Sequence, residues 1–187
     1  MATEVRRAAE HVDLPPWEAP STSGLVADDH VLPPAAVDAV WRITNHPGTL
    51  TADWHQGIVA ELPSPEHYVE LVAVVASVNS ADAFARVMGL DPVPLPEAVA
   101  GEPSKDTIEG AGVTSHWVPT APIGGPNVLK ALSIVPGERP MFDALFNAQY
   151  LPPDALLGDM DWGRPTMDRR QIELVATQTS LVNECFY

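Results

Sequence analysis

VELVAVVASV, residues Val69–Val78, is the most apolar stretch of this 187-residue chain. It is shorter than the roughly 18 apolar residues that a membrane-spanning helix needs. It lies within a longer segment that opens at Ser64-Pro65-Glu66 and stops at Gly89. Proline is favoured in the first turn of a helix and glycine just past its end. The stretch therefore predicts a long, buried central helix between these two signals.

Helical patterns occur on both sides of this central segment. Residues 32–48, LPPAAVDAVWRITNHPG, carry prolines for a first turn, one apolar face and the stop signal His46-Pro47-Gly48. A second pattern follows from about Thr51. Three more patterns lie downstream: NVLKALSIV (127–135), ERPMFDALFNAQYL (138–151) and TMDRRQIELVATQTSLVNECFY (166–187), the last with Thr166 and Asp168 suited to its N-terminal end. No segment shows the alternation of a strand, so the sequence predicts an all-α fold.

Two regions lack helical periodicity and divide the chain. Residues 1–30 contain Pro15-Pro16, Pro20 and STSG, which predicts an irregular N-terminal arm. Residues 91–126 contain seven prolines, which predicts a long connection that packs over the surface or between two lobes. We therefore expect a first helical lobe at residues 31–90 and a second at residues 127–187, joined by this Pro/Gly-rich connection.

The two lobes share a short sequence pattern. Glu-Leu-Val-Ala, with a serine four residues after the alanine, occurs at residues 70–77 and again at residues 173–180. In this alignment Cys185 falls opposite Asp82. Self-similarity at a fixed separation indicates a repeated structural unit. We interpret the chain as one helical unit used twice, in which the first lobe lacks the thiol.

Charge and composition exclude several classes of function. The formal net charge is −15, from 25 acidic and 10 basic residues, which repels nucleic acid and anionic lipid. The segment MATEVRRAAEHVDLPPW has no apolar core behind its arginines, so we expect neither a signal peptide nor a membrane partner. One cysteine cannot form a disulfide within the chain, which is typical of a protein in the reducing cytoplasm.

Cys185 lies in the segment LVNECFY, residues 181–187. On one straight helix, the twelve residues from Glu173 to Cys185 would span roughly 18 Å, so shared chemistry requires the helix to turn first. Asn183 is a favoured N-cap, and we place the turn at residues 182–184. Cys185 would then lie in the first turn of a new helix, where the helix dipole and free N–H groups lower the pKa of a thiol.

These residues resemble the alkylhydroperoxidase AhpD-like, or carboxymuconolactone decarboxylase-like, family. Thiol-active members carry a glutamate, eleven residues, then Cys-x-x-Cys and a histidine; Glu173, Asn183 and Cys185 fit this pattern. Tyr187 occupies the position before the expected second cysteine, where the family has histidine or often tyrosine. The resemblance covers residues 31–187 and implies an all-α member of the family with two tandem lobes. It also implies that this chain ends inside the Cys-x-x-Cys motif, so that the second lobe is incomplete.

The resemblance also implies a function and a set of partners. It implies a thiol-dependent peroxidase in which one cysteine attacks the peroxide and the other closes a disulfide. By carry-over, Glu173 is the proton acceptor, Tyr187 belongs to the proton relay and Cys185 is one of the two thiols. Peroxide is the expected substrate and a dithiol or protein the reductant. A homo-oligomer, or association with a chain that completes the site, is expected, and no cofactor is.

Other interpretations of the same residues stay open. Cys185 could be a structural thiol, Tyr187 a core or interface aromatic, and Glu173 a partner of Arg169 or Arg170. A non-redox, decarboxylase-like or lactone-processing enzyme would use a pocket and not the thiol. A non-catalytic helical oligomerisation scaffold would use neither.

Other polar and aromatic residues carry no expected chemistry. Asp82, opposite Cys185, is interpreted as a cap or a solvated carboxylate. The histidines have no metal-ligand spacing and are interpreted as surface or capping residues: His46, His55, His67 and His116. The sequence therefore predicts no metal site.

Overall fold

Helices make up most of the described backbone, and this confirms the predicted all-α class. The computed structural model describes residues 1–10, 31–97, 99–101, 105–125, 127–156, 158 and 160–183. Within these ranges the helices are α1 (Ala2–Ala9), α2 (Pro34–Asn45), α3 (Ala52–Glu61), α4 (Pro65–Val87), α5 (Asn127–Lys130), α6 (Arg139–Gln149), α7 (Pro153–Leu156) and α8 (Arg169–Val182). A short 3-10 turn, Pro47–Thr49, separates α2 from α3.

The predicted start and stop signals of α2, α3 and α4 are confirmed. Pro34 lies in the first turn of α2 and Pro65 in the first turn of α4. Thr51 caps α3, since its hydroxyl accepts a hydrogen bond from the Trp54 amide at 3.2 Å. Gly89 has a φ of +67°, a left-handed conformation that glycine adopts without strain just past a helix. Local residue choice thus sets the ends of these helices.

The main core forms where α1, α2 and α3 pack against α4. Trp41 of α2 is buried, and its indole N–H donates to Glu4 Oε1 at 2.7 Å. The indole N–H of Trp54 in α3 donates to Asp38 Oδ2 at 3.0 Å, which joins α3 to α2. The buried members of this cluster are Val5, Ala8, Ala35, Ala36, Val37, Ala39, Val40, Trp41, Ile58, Tyr68, Leu71 and Val75.

The predicted irregular arm is wrong for its first ten residues. Ala2–Ala9 form α1, with Val5 and Ala8 fully buried on one face. Residues three apart on a helix share a face, but two small apolar positions among charged letters make a weak pattern. A contact with another helix fixes α1 in place: Arg6 donates to both carboxylate oxygens of Asp82 in α4, at 2.7 and 2.9 Å. The rest of the arm, residues 11–30, lies outside the described residues.

The predicted connection, residues 91–126, contains no helix in its described part. Gly112 and Thr120 form an isolated antiparallel bridge, and the Ala121 amide donates to Ser133 Oγ at 2.9 Å. A second apolar cluster joins this region to the central helix, with Val69 and Ala73 of α4 against Leu132, Ile134 and Val135. α4 therefore packs with both halves of the chain, and the division into two lobes stays a prediction.

Two local expectations in the second half are wrong. The helix predicted over residues 127–135 is only four residues long: α5 ends at Lys130, and Leu132 adopts a left-handed φ of 59°, which a right-handed helix does not allow. The turn before α8 contains a hairpin of two-residue strands, β1 (Gly163–Arg164) and β2 (Met167–Asp168), paired Gly163 to Asp168 and Arg164 to Met167. Two-residue strands are too short to show alternation in a sequence.

By length and composition alone, α4 could cross a membrane. In the structure, several of its side chains are buried against the other helices: Tyr68, Val69, Leu71, Ala73, Val75 and Ala85.

Candidate functional site: a carboxylate held by tyrosine and arginine

The start of α8 is built by a reciprocal cap. The Asp168 carboxylate accepts from the Gln171 amide at 2.9 Å, and the Gln171 side chain accepts from the Asp168 amide at 3.0 Å. This capping box satisfies two N–H groups that the first turn of a helix leaves without partners. It confirms the expected role of Asp168. Arg169 consequently occupies the first helical position, and Glu173 lies one turn later on the same face.

Glu173 is held by two donors, one on each carboxylate oxygen. The Tyr150 hydroxyl donates to Oε2 and the Arg169 guanidinium donates through Nε to Oε1, both at 2.6 Å. The Glu173 side chain keeps 34% of its surface exposed, whereas Arg169 is buried. Charge-assisted hydrogen bonds of this length are strong, so the carboxylate has one preferred orientation with an open side. We name these three residues the Glu173 network.

Arg169 connects the Glu173 network to the preceding turn. Its Nη1 donates to the backbone carbonyl of Ala155 and its Nη2 lies 3.4 Å from the carbonyl of Leu156. These two carbonyls belong to the end of α7, so one buried guanidinium links α7 to α8. A buried cation is tolerated only when its donors have partners, and here a carboxylate and two carbonyls supply them.

Tyr150 enters the network from the C-terminal end of α6. Its ring meets Phe146 edge to face, with ring centres 5.2 Å apart, which directs the hydroxyl toward α8. Burial, together with the hydrogen bond to Glu173, raises the pKa of Tyr150 to about 12. The phenol therefore stays protonated at neutral pH and acts as a donor.

The Glu173 network favours the ionised form of its carboxyl group. Partial burial pushes the pKa of Glu173 upward, but the hydrogen bonds from Tyr150 and Arg169 and the charge of Arg169 outweigh it. The net pKa lies below its usual value, so Glu173 is a carboxylate at neutral pH. It can orient a donor or stabilise a nearby positive charge, and it takes up a proton only transiently.

The expected partnership of Glu173 with a neighbouring arginine is confirmed for Arg169. Arg170, the other candidate, is exposed. Tyr150 is a member that the sequence did not reveal, because it lies 23 residues before Glu173 on a different helix. Its only local signal is a tyrosine at the end of an apolar helix, which many structural tyrosines share.

The expected end of α8 is confirmed, but the expected role of Asn183 is wrong. α8 stops at Val182, and Asn183 is its C-cap. Its side-chain amide donates back to the Thr179 carbonyl at 2.8 Å. Its backbone, with φ −87° and ψ 8°, lacks the extended conformation of an N-cap. The asparagine satisfies a carbonyl at the end of α8, where last-turn acceptors have no helical partner.

Two of the three predicted site residues, Cys185 and Tyr187, lie outside the described residues. Only the position of Glu173 is therefore given by the structure. The C-cap Asn183 lies ten positions after Glu173, roughly 15 Å along the helix, so any contact with Cys185 requires the chain to reverse after α8.

His55 and Asp82 do not have the roles that the sequence predicts for them. His55 was expected at the surface or in a cap, but it is buried between Tyr68 and Trp117, with ring centres 4.7 and 5.9 Å away. The apolar face of α3 carries it inward. Asp82 pairs with Arg6 and is therefore neither a cap nor solvated alone. Within the described ranges no three histidine, cysteine or acidic side chains are grouped so as to hold a metal ion.

No family model, curated protein or solved structure matches this chain.

Proposed function

We propose that this protein is a thiol-dependent peroxidase or oxidoreductase of the AhpD-like type, in which Cys185 is a redox thiol and Glu173 its proton acceptor. The Glu173 network is the observation that carries the proposal. A carboxylate of lowered pKa, held on both oxygens, lies twelve residues before the only cysteine, and α8 ends between them. The resemblance to the family's Glu-to-Cys spacing supplies the reaction.

The proposed reaction begins with the Cys185 thiolate. Its sulfur attacks the terminal oxygen of a hydroperoxide, the O–O bond breaks, and an alcohol leaves after taking a proton. Cys185 is then a sulfenic acid. A second thiol, from a dithiol or a protein reductant, attacks that sulfur to form a disulfide and release water. Further reductant returns the free thiol.

In this reaction Glu173 would serve mainly to orient a hydrogen-bond donor and to stabilise a nearby positive charge. Because Tyr150 and Arg169 keep its pKa low, the carboxylate is a weak base at rest. It can accept a hydrogen bond from the thiol, from Tyr187 or from a bridging water, and it can hold a proton briefly during transfer. General acid–base assistance of this kind typically contributes about 10²–10⁴-fold to a rate.

Glu173→Gln is the decisive variant, and Glu70→Gln is its matched control in the first half. We expect Glu173→Gln to slow the oxidation of Cys185 by t-butyl hydroperoxide at least ~10-fold. Glu70→Gln should oxidise at the rate of the unmodified protein. Stopped-flow kinetics with a sulfenic-acid trap and intact mass would measure both. If Cys185 gives no trapped sulfenic acid, or if both variants react at equal rates, the peroxidase proposal fails.

A second candidate function, a non-catalytic scaffold that associates with its own copies, is favoured by the surface of α8. Leu174, Leu181 and Val182 are largely exposed. Contiguous exposed apolar side chains often mark contact surfaces between proteins. A scaffold predicts that Leu174→Glu lowers the mass in sedimentation equilibrium while Cys185→Ser changes nothing. A peroxidase requires Cys185→Ser to abolish turnover.

A further inference from the structure

A cavity of about 250 Å³ lies between α4 and the end of the connection. It shares no residue with the Glu173 network. Val69 and Val72 of α4 form one wall, and Val118 and Leu132 contribute further apolar surface. Its polar lining includes His116, Thr120, Asn127 and Lys130.

The size and walls of this cavity suit a small apolar molecule. An engineered apolar cavity of about 150 Å³ is known to bind benzene, so the present volume accommodates a ring with one added polar group. Ligand sites are usually apolar concavities in which a few placed polar groups fix the orientation. The valine side chains provide the apolar surface here.

Thr120 supplies a polar group without a partner. Its Oγ1 is buried and makes no hydrogen bond within the described part of the chain. The Thr120 backbone is fixed by the bridge to Gly112, with hydrogen bonds of 3.0 and 3.1 Å. A buried hydroxyl without a partner is destabilising, and a ligand acceptor in the cavity would remove this penalty. The hydroxyl can donate to such an acceptor.

Lys130 supplies a positive charge at the same cavity. It is partly buried, and within the described residues no carboxylate forms an ion pair with it. The side-chain amide of Asn127 lies 3.1 Å from Nε2 of His116, so this edge of the cavity also contains oriented polar groups. With a net charge of −15 the chain as a whole repels anions, so anion binding here would depend on local positive charge such as that of Lys130.

We propose that the cavity binds a small aromatic or branched aliphatic monoanion. Its apolar body lies against Val69, Val72 and Val118. Its anionic group faces the Lys130 ammonium and accepts a hydrogen bond from the Thr120 hydroxyl. This site is independent of the proposed redox chemistry, since none of its groups belongs to the Glu173 network.

Benzoate and its neutral isostere benzamide are the probes that test the site. For ligands of this size we expect a benzoate dissociation constant on the order of 1 mM, with benzamide at least fivefold weaker. Isothermal titration calorimetry on the full chain measures both. Equal affinity for the two probes, or binding of neither at 20-fold above the expected constant, would overturn the proposal.

Variants assign the binding to this cavity. Lys130→Gln should remove the preference for benzoate over benzamide, whereas Lys105→Gln, an exposed lysine outside the cavity, should preserve it. Thr120→Val should weaken benzoate at least threefold, and a folded Val72→Phe protein should bind neither probe. Unchanged benzoate affinity in Lys130→Gln would refute the assignment. Glu173→Gln should bind benzoate normally, so loss of peroxidase activity and loss of this site are separable.

Discussion

α4 and α8 carry the same Glu-Leu-Val-Ala pattern but place it in opposite environments. Leu71 of α4 is 1% exposed, whereas Leu174 at the matching position of α8 is 61% exposed. α1, α2 and α3 cover α4, while α8 contacts mainly the hairpin and the end of α7. The same residues thus specify a helix in both places, and burial depends on which partners are present.

The matching glutamates differ in the same way. Glu173 accepts hydrogen bonds from Tyr150 and Arg169, whereas Glu70 has no side-chain hydrogen bond or ion pair within the described residues. One turn from the end of α4, Asp82 is paired with Arg6 at the position that aligns with Cys185. In the first half Asp82 pairs with α1, whereas in the second half the Glu173 carboxylate stays partly open.

The largest expected effect is a difference in stability between variants of Leu71 and Leu174. Leu71→Ala should lower the free energy of unfolding by about 2–5 kcal/mol, because it removes buried methyl groups and leaves a cavity. Leu174→Ala should change it by less than about 0.5 kcal/mol, as exposed substitutions usually do. Urea denaturation followed by circular dichroism measures both. Equal losses would mean that α8 is covered in solution, for example by a second copy.

Arg169 is the next test, with its neighbour Arg170 as the control. Arg169→Gln should cost about 1–3 kcal/mol, since the carbonyls of Ala155 and Leu156 lose their donor and Glu173 loses its ion pair. Arg170→Gln should be nearly neutral. The comparison is made by urea denaturation at pH 7, and an equal cost for both variants would contradict the buried role of Arg169.

Tyr150→Phe should have a smaller effect on stability, about 1 kcal/mol, because it removes one hydrogen bond. It should also raise the pKa of Glu173, since the phenol hydrogen bond is one of the interactions that lower it. Carbon-13 NMR of the glutamate carboxyl groups across pH measures this shift. Glu70 serves as the internal reference, and an unchanged Glu173 titration would show that the hydroxyl does not act on the carboxylate.

Lowering the pH should reduce the free energy of unfolding through one group in each half, and each group acts in its own pH window. These are the smallest of the expected effects. Burial lowers the pKa of His55, so the unfolded chain binds its proton first and stability falls as the pH drops below about 6.5. The pKa of Glu173 is also lowered, but its contribution is present above about pH 4.5 and is lost as the pH falls through the folded value.

Single variants identify each window. In His55→Leu the decline that begins near pH 6.5 should disappear, and in Glu173→Gln the decline below about pH 4.5 should weaken. Denaturation midpoints measured from about pH 8 down to about pH 2 report both slopes. A His55→Leu protein with the unmodified slope above pH 5 would show that this histidine titrates alike in the folded and unfolded chain.

Local signals predicted much of the helical framework. Proline at the starts of α2 and α4, Thr51 before α3, Asp168 before α8 and Gly89 after α4 each act through bonds or angles within one turn. The sequence did not predict α1, because only Val5 and Ala8 form its buried apolar face. The site was predicted in part: the Glu173–Arg169 pair lies within one helix turn, but Tyr150 comes from another helix.

Helix order, the central place of α4 and the pairing of Glu173 with Arg169 follow from residue patterns a few positions apart, since capping, dihedral preference and helical periodicity act over one or two turns. Only the tertiary structure decided which faces are covered and which charges meet. Arg6 reaches Asp82 across 76 residues, Tyr150 reaches Glu173 across 23, and the cavity forms between α4 and a loop some 50 residues later. Such contacts depend on how whole helices pack, because burial and ion pairing are properties of surfaces brought together and not of neighbouring letters.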